Sequence, residues 1–124
     1  VDLKQFILLP ALARKKYKLL LKNQEAMEEA SEKSEYNHLL EGKDKKTGII
    51  ACGLAYNYLK ENLSTQDGHY WILKISQYPL PGSMIRKLAG EVDEILVLEE
   101  GYPVVEEMLR GFFNEPFKIK GRMD

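Results

Sequence analysis

Apolar residues along the first third of the chain fall at helical spacing. Leu9, Leu12, Ala13, Tyr17, Leu20, Leu21 and Met27 recur at steps built from three and four, the period of an α-helix. They predict one long helix from Pro10 to about Lys33, with Pro10 in the first turn, where its missing N–H costs nothing. At 1.5 Å per residue it spans roughly 36 Å. That is about the width of a small domain, so the helix either lies across the rest of the protein or projects beyond it.

After a polar stretch over residues 36–47, containing Gly42 and the Lys43–Asp44–Lys45–Lys46 run and read as a solvated linker, the texture changes. Gly48 to Cys52 is a short apolar strand, and Gly53 turns the chain into a helix carrying Ala55, Leu59 and Leu63. Asp67 and Gly68 make a turn into a second strand, Tyr70 to Ile75, which Pro79 and Pro81 end. A helix from Gly82 or Ser83 places Ile85, Leu88, Ala89 and Val92 on one face. Glu94 to Glu99 is a third strand, apolar from Ile95 to Leu98 as if covered on both sides. Pro103 opens a last helix with Val105, Met108, Leu109 and Phe112 in a stripe. In the closing strand Phe117 and Ile119 alternate with Lys118 and Lys120, and the lysines mark a sheet edge.

Strand–helix units with short connections imply right-handed crossovers and parallel pairing. The fold class expected is therefore α/β, a three-layer and mainly parallel sheet with flanking helices, preceded by the long N-terminal helix. Residues 1–46 form the helix and linker, and residues 47–124 the α/β domain.

Charge changes the picture of the helix. Arg14, Lys15, Lys16, Lys18 and Lys22 occupy its N-terminal half, and Glu25, Glu28, Glu29, Glu32 and Glu35 its C-terminal half and exit. The helix dipole favours the reverse order, and Lys18–Lys22 and Glu25–Glu29 repel mildly at i,i+4. The helix is therefore expected to be held by burial of its stripe, on its own sheet domain or against a second copy. Over the whole chain of 124 residues the net charge is −1, with 44% hydrophobic and 30% charged residues, as in an ordinary globular protein. Nothing in that balance points to nucleic acid or an anionic membrane. No apolar run approaches the roughly 18 residues of a membrane span, no signal-peptide pattern follows Ala13, and the single cysteine excludes a disulfide framework. The expected location is cytoplasmic. Val1 in place of a methionine, and Asp124 directly after a strand, read as the ends of a piece of a longer chain.

Candidate chemistry is sparse. Cys52 precedes a strand-to-helix turn, where a helix N-terminus lowers a thiol pKa, yet free cysteine is mostly a core residue. Gly48 and Gly53 flank the first strand, but the sequence GIIACGLAYNY has neither the GxGxxG nor the GxxxxGK[ST] pattern of a phosphate cradle. His38 and His69 lack a second ligand at metal spacing. Glu99 and Glu100 close the third strand on the sheet edge where α/β ligands sit, as ligand groups or as solvated carboxylates. The basic stretch Arg14 to Lys22 reads as a solvated or protein-binding face, because its one aromatic, Tyr17, belongs to the apolar stripe. No catalytic, cofactor-binding or metal residue is assigned.

Three stretches together are more informative: TGIIACGLAYNYLKE at 47–61, ISQYPLP at 75–81 and EILVLEEGYPVVEE at 94–107. In order and spacing they resemble the transketolase C-terminal-like domain of the indolepyruvate:ferredoxin oxidoreductase alpha subunits, within the 2-oxoacid:ferredoxin oxidoreductase family. LPALARKKYKLL at 9–20 resembles the helix before that domain, and FKIKGRMD the exit from it. The resemblance implies a parent enzyme that oxidatively decarboxylates aryl pyruvates to acyl-CoA and passes electrons to ferredoxin, using thiamine diphosphate, magnesium and iron–sulfur clusters. It implies no cofactor in this segment, a structural or assembly role, and as partners the other domains of the subunit, a second subunit, ferredoxin and coenzyme A. A homo-oligomer through the N-terminal helix is a further partner reading. Two rivals stand beside it: a free-standing flavodoxin-like binding or regulatory module, and a helix-mediated interaction adaptor. A signalling receiver fits poorly, since Ala51–Cys52 stand where acidic residues are needed.

Overall fold

A computed structural model describes residues 6–7, 9–63, 68–113 and 116–123. Asp67 of the expected turn, and the termini Val1 and Asp124, lie outside them. The elements are α1 (Pro10–Glu32), β1 (His38–Leu40), β2 (Thr47–Cys52), α2 (Ala55–Asn62), β3 (Trp71–Ile75), α3 (Gly82–Ala89), β4 (Glu94–Leu98), α4 (Val104–Arg110) and β5 (Lys118–Lys120). They form one five-stranded sheet in the order β1-β3-β2-β4-β5. β2 is central and runs parallel to β3 and β4, β5 joins β4 in parallel, and β1 alone is antiparallel. This is the expected α/β class, consistent with a transketolase C-terminal-like fold, with the lysine-flanked β5 at an edge.

The burial of alternate residues fixes the layers. Ile50 and Cys52 of β2, Trp71, Leu73 and Ile75 of β3, Ile95 and Val97 of β4, and Ile119 of β5 join Ile85, Leu88, Val105 and Leu109 in one core cluster. That face carries α3 and α4. Gly48 belongs to it: a Cβ there would meet the Leu88 and Val92 side chains at 2.8 and 3.0 Å, so glycine lets α3 approach the sheet closely. The opposite face carries α2, with Ile49 and Ala51 of β2 buried beneath it and Ala55 buried on the helix itself. The Lys74 ammonium lies 5.3 Å from the centroid of the Tyr56 ring of α2. β2 leads by α2 toward one edge, whereas β3 and β4 lead by α3 and α4 toward the other, so right-handed crossovers put the helices on opposite faces.

Two expectations give way. Residues 36–47 contain β1 and are strapped to the sheet. Lys43 and Asp44 donate backbone N–H bonds to the His69 carbonyl at 2.9 and 2.8 Å, and the Lys45 and Lys46 carbonyls accept from Asp93 and Glu94 at 3.0 Å. Gly42 is needed there, since a Cβ would fall 2.2 Å from the Tyr70 carbonyl carbon. The second is one of the alternatives left open for α1, docking of its stripe across its own domain. Tyr17 is 61%, Leu20 54% and Met27 45% exposed, and only Ser31 is buried. The helix projects from the domain and is held at its last turn.

That hold is a polar knot. Asn37, 2% exposed, donates through Nδ2 to the Ser31 carbonyl and hydroxyl, both at 3.1 Å, and to the Gln77 carbonyl at 3.0 Å. Its Oδ1 accepts from the Ser76 and Gln77 N–H groups at 2.9 and 3.0 Å. The Ser31 hydroxyl also donates to the Pro79 carbonyl, across the cis Tyr78–Pro79 peptide. Glu32 accepts from the Ser83 N–H at 2.8 Å and from its hydroxyl, tying α1 to α3.

Candidate functional site

β2 and β4 are neighbours whose following helices leave to opposite faces. Between their C-terminal ends the sheet opens a crevice, the place where α/β sheets take ligands. Here it measures about 340 Å³ and is lined by Cys52, Gly53, Tyr78, Glu99, Glu100 and Tyr102, among others. Gly53 and Gly101, at φ +56° and +76°, make the two turns that flank it, a conformation only glycine adopts freely.

The chemistry inside is already committed. Both Glu99 oxygens accept backbone N–H bonds at 2.9 Å, Oε2 from Val105 and Oε1 from Glu106. Glu99 therefore caps α4 and satisfies its first donors, which no side chain at the adjoining Pro103 does. Burial, reinforced by the Glu99 charge, pushes the Cys52 thiol up to about 12, against the opposing pull of a hydrogen bond with Tyr78. The thiol is thus protonated at neutral pH and is no nucleophile. Burial likewise raises the Tyr78 hydroxyl. Tyr102 donates to Glu107 at 2.6 Å and is raised by that bond. The residues lining the crevice include no lysine or arginine, so they offer a phosphate group no counter-charge.

The other residues singled out in the sequence are scattered. Gly48 serves packing. His38 lies in β1 opposite Lys74, toward the C-terminal end of β3, whereas His69 precedes the N-terminal end of that strand. Both are exposed, and they sit at opposite ends of the sheet. Glu100 is exposed at the crevice rim, and Arg14 to Lys22 are exposed along α1. Among the described residues there is no group of three or more His, Cys, Asp or Glu able to hold a metal ion, and no helix long and apolar enough to cross a membrane.

A larger surface lies beside α2. An open groove of about 690 Å³ runs between Tyr58 and Leu59 of α2 and Leu96 and Leu98 of β4, reaching Gly121 and Arg122. The sequence expectation that β4 is covered on both faces holds only on the side of α3 and α4. Leu96 and Leu98 on the other side are half-buried, because α2 has eight residues and sits over β2. Beyond the groove, Glu94 is paired with Lys118 at 2.7 Å and Lys120 at 2.9 Å, and accepts from Thr47 at 3.0 Å.

Sequence reasoning missed three features. The Asn37 knot lay in the supposed linker, and no local pattern marks it. Glu106, 1% exposed, accepts from Arg110 at 2.7 Å and from the Met123 N–H, clasping the turn after β5. The groove depends on helix lengths, which a stripe of apolar residues does not reveal.

Comparison with known proteins finds relatives by sequence. The chain is 40% identical over 105 residues to indolepyruvate oxidoreductase subunit IorA of Archaeoglobus fulgidus, covering 84% of this chain and 17% of that protein. It is 34% identical over 108 residues to the IorA subunit of Pyrococcus abyssi, covering 86% of the chain and 17% of that protein. Against the subunit of Methanothermobacter thermautotrophicus it is 28% identical over 128 residues, 99% of the chain and 21% of that protein. The chain thus spans about a fifth of the length of the curated relatives it matches. No protein-family model and no solved structure matches it.

Proposed function

From this kinship with one segment of indolepyruvate oxidoreductase subunit IorA, we propose that the chain serves as an assembly domain of such a subunit. It supplies packing surface to an enzyme that oxidatively decarboxylates aryl pyruvates, and it supplies none of the reacting groups. The parent would use thiamine diphosphate, magnesium and iron–sulfur clusters, form acyl-CoA and reduce ferredoxin. These cofactors would be held by other domains and a second subunit. A single cysteine kept as a buried thiol suits a cytoplasmic enzyme.

The observation that carries this reading is the contrast between the two cavities. In the crevice at the ligand end of the sheet, Glu99 is spent on capping α4 and the Cys52 thiol is protonated. The larger groove is walled by apolar side chains of α2 and β4, which is the character of a surface meant to be covered by protein. The donors present do not fit thiamine diphosphate and its magnesium. That pair needs oxygen ligands and cationic or N–H contacts to phosphate, and the crevice lining offers no cation and a helix end already capped by Glu99.

Calorimetric titration of the chain with thiamine diphosphate and magnesium tests the reading. No saturable heat is expected up to millimolar ligand. Micromolar binding would overturn it and favour a cofactor-binding module.

A further inference from the structure

We propose that the span from Ser76 to Leu80, between β3 and α3, is a lid over the crevice, and that the foot of α1 is its latch. The lid is rooted in the core at both ends. Ile75 and Pro81 are fully buried, and the Pro81 carbonyl accepts from the Ile85 N–H of α3 at 3.1 Å. Between them the chain carries Tyr78 over the crevice, which it lines beside Cys52, its hydroxyl hydrogen-bonded to the thiol. Cys52 itself belongs to the sheet, opposite Ile75 in the β2–β3 ladder, so it stays in place when the lid moves.

The bonds that hold the lid down come from residues 31–37, the end of α1 and the turn after it. Asn37 Oδ1 accepts from the Ser76 and Gln77 N–H groups, and Asn37 Nδ2 donates to the Gln77 carbonyl at 3.0 Å. The Ser31 hydroxyl donates to the Pro79 carbonyl and lies 3.2 Å from that of Gln77. The Ser34 hydroxyl donates to Gln77 Oε1 at 2.6 Å. Just past the lid, Glu32 holds the N–H and hydroxyl of Ser83. Ser76 and Tyr78 are themselves exposed, so little apolar burial resists opening. The closed state rests on hydrogen bonds, and their net contribution is modest. Opening the lid therefore costs less than unfolding the sheet, the mark of a local opening unit. The latch sits at the root of a projecting helix, so movement of that foot is carried to the crevice.

This device goes beyond the place proposed for the domain in an oxidoreductase subunit, and its failure leaves that place intact. Two readings on the complete chain test it together: alkylation of Cys52 by iodoacetamide, and amide exchange at Ser76 and Gln77. In the native chain both should change little with low urea, whereas exchange at Ile50 and Val97 in the central strands climbs steeply. Glu32→Ala with Ser34→Ala removes latch bonds and leaves the sheet untouched. Both lid readings should then rise about tenfold and stay flat in low urea. Tyr78→Ala removes the cover and keeps the backbone bonds, so it should raise alkylation more than exchange. Lid readings that share the urea slope of Ile50 and Val97 overturn the inference, since Cys52 is then reached only by global unfolding. Native rates in the double variant also overturn it, as does faster exchange at Ser76 and Gln77 with alkylation unchanged.

Discussion

Asn37 is joined to Ser31 twice, its Nδ2 donating to both the carbonyl and the hydroxyl at 3.1 Å. The same side chain holds the backbone of Ser76 and Gln77, so one buried amide fixes the exit of α1 to the loop that carries Tyr78 over the crevice. Replacing it leaves several buried backbone groups without partners, each costing about 1–3 kcal/mol.

Asn37→Ala is therefore expected to lower unfolding free energy by about 2–3 kcal/mol, read from urea denaturation. Asn37→Asp keeps the acceptor side and loses the donors to Ser31 and Gln77, so it should also destabilise. Loss of less than about 0.5 kcal/mol, the level of an ordinary surface change, would contradict the role assigned to the knot.

Cys52 is expected to react with iodoacetamide at neutral pH far more slowly in the native chain than in urea. Its thiol is held near 12 by burial and then by the Glu99 charge, and the thiolate is the reactive form. Glu99→Gln should shift the thiol pKa downward in a pH series of labelling rates. Equal rates in the native and unfolded chain would contradict it.

The carboxyl of Glu94 is drawn down to about 2 by hydrogen bonds from Lys118 and Lys120, and further by Thr47. A carboxylate depressed in the folded state stabilises above its ordinary pKa, and that contribution fades as pH falls through the folded value. Stability should thus decline between about pH 4.5 and pH 2 more steeply in the native chain than in Glu94→Gln, measured by thermal melts across that window. Parallel profiles would show that Glu94 carries none of the pH dependence.

Much of the fold was legible because period and punctuation agree. Pro10, Pro81 and Pro103 sit at or just before helix starts, Gly53 and Gly101 make turns after strands, and Ile50, Leu73 and Ile95 mark strands by apolar runs. β1 was missed because three residues paired along one edge leave little pattern, and its order comes from the Asn37 knot and the Gly42 strap. The seat of α1 was left open for a different reason. A stripe reports that a helix face needs cover, but not whose surface provides it. At the crevice, the chain position of Glu99 was informative and its chemistry was not, since only geometry shows both oxygens turned to the N-terminus of α4.

As proposed, this domain contributes covered surface to an oxidoreductase subunit and no reacting group. The most direct measurement is made in a chimera in which this chain replaces its counterpart in the Archaeoglobus fulgidus IorA subunit, co-expressed with the partner subunit. Leu96→Lys with Leu98→Lys, on the open groove, should cut the assembled fraction at least about tenfold while KM and kcat per assembled enzyme stay within about twofold. Tyr78→Phe in the crevice should leave both unchanged. Normal assembly with lysines in the groove would contradict the claim, and so would a large fall in kcat per assembled enzyme on changing Tyr78.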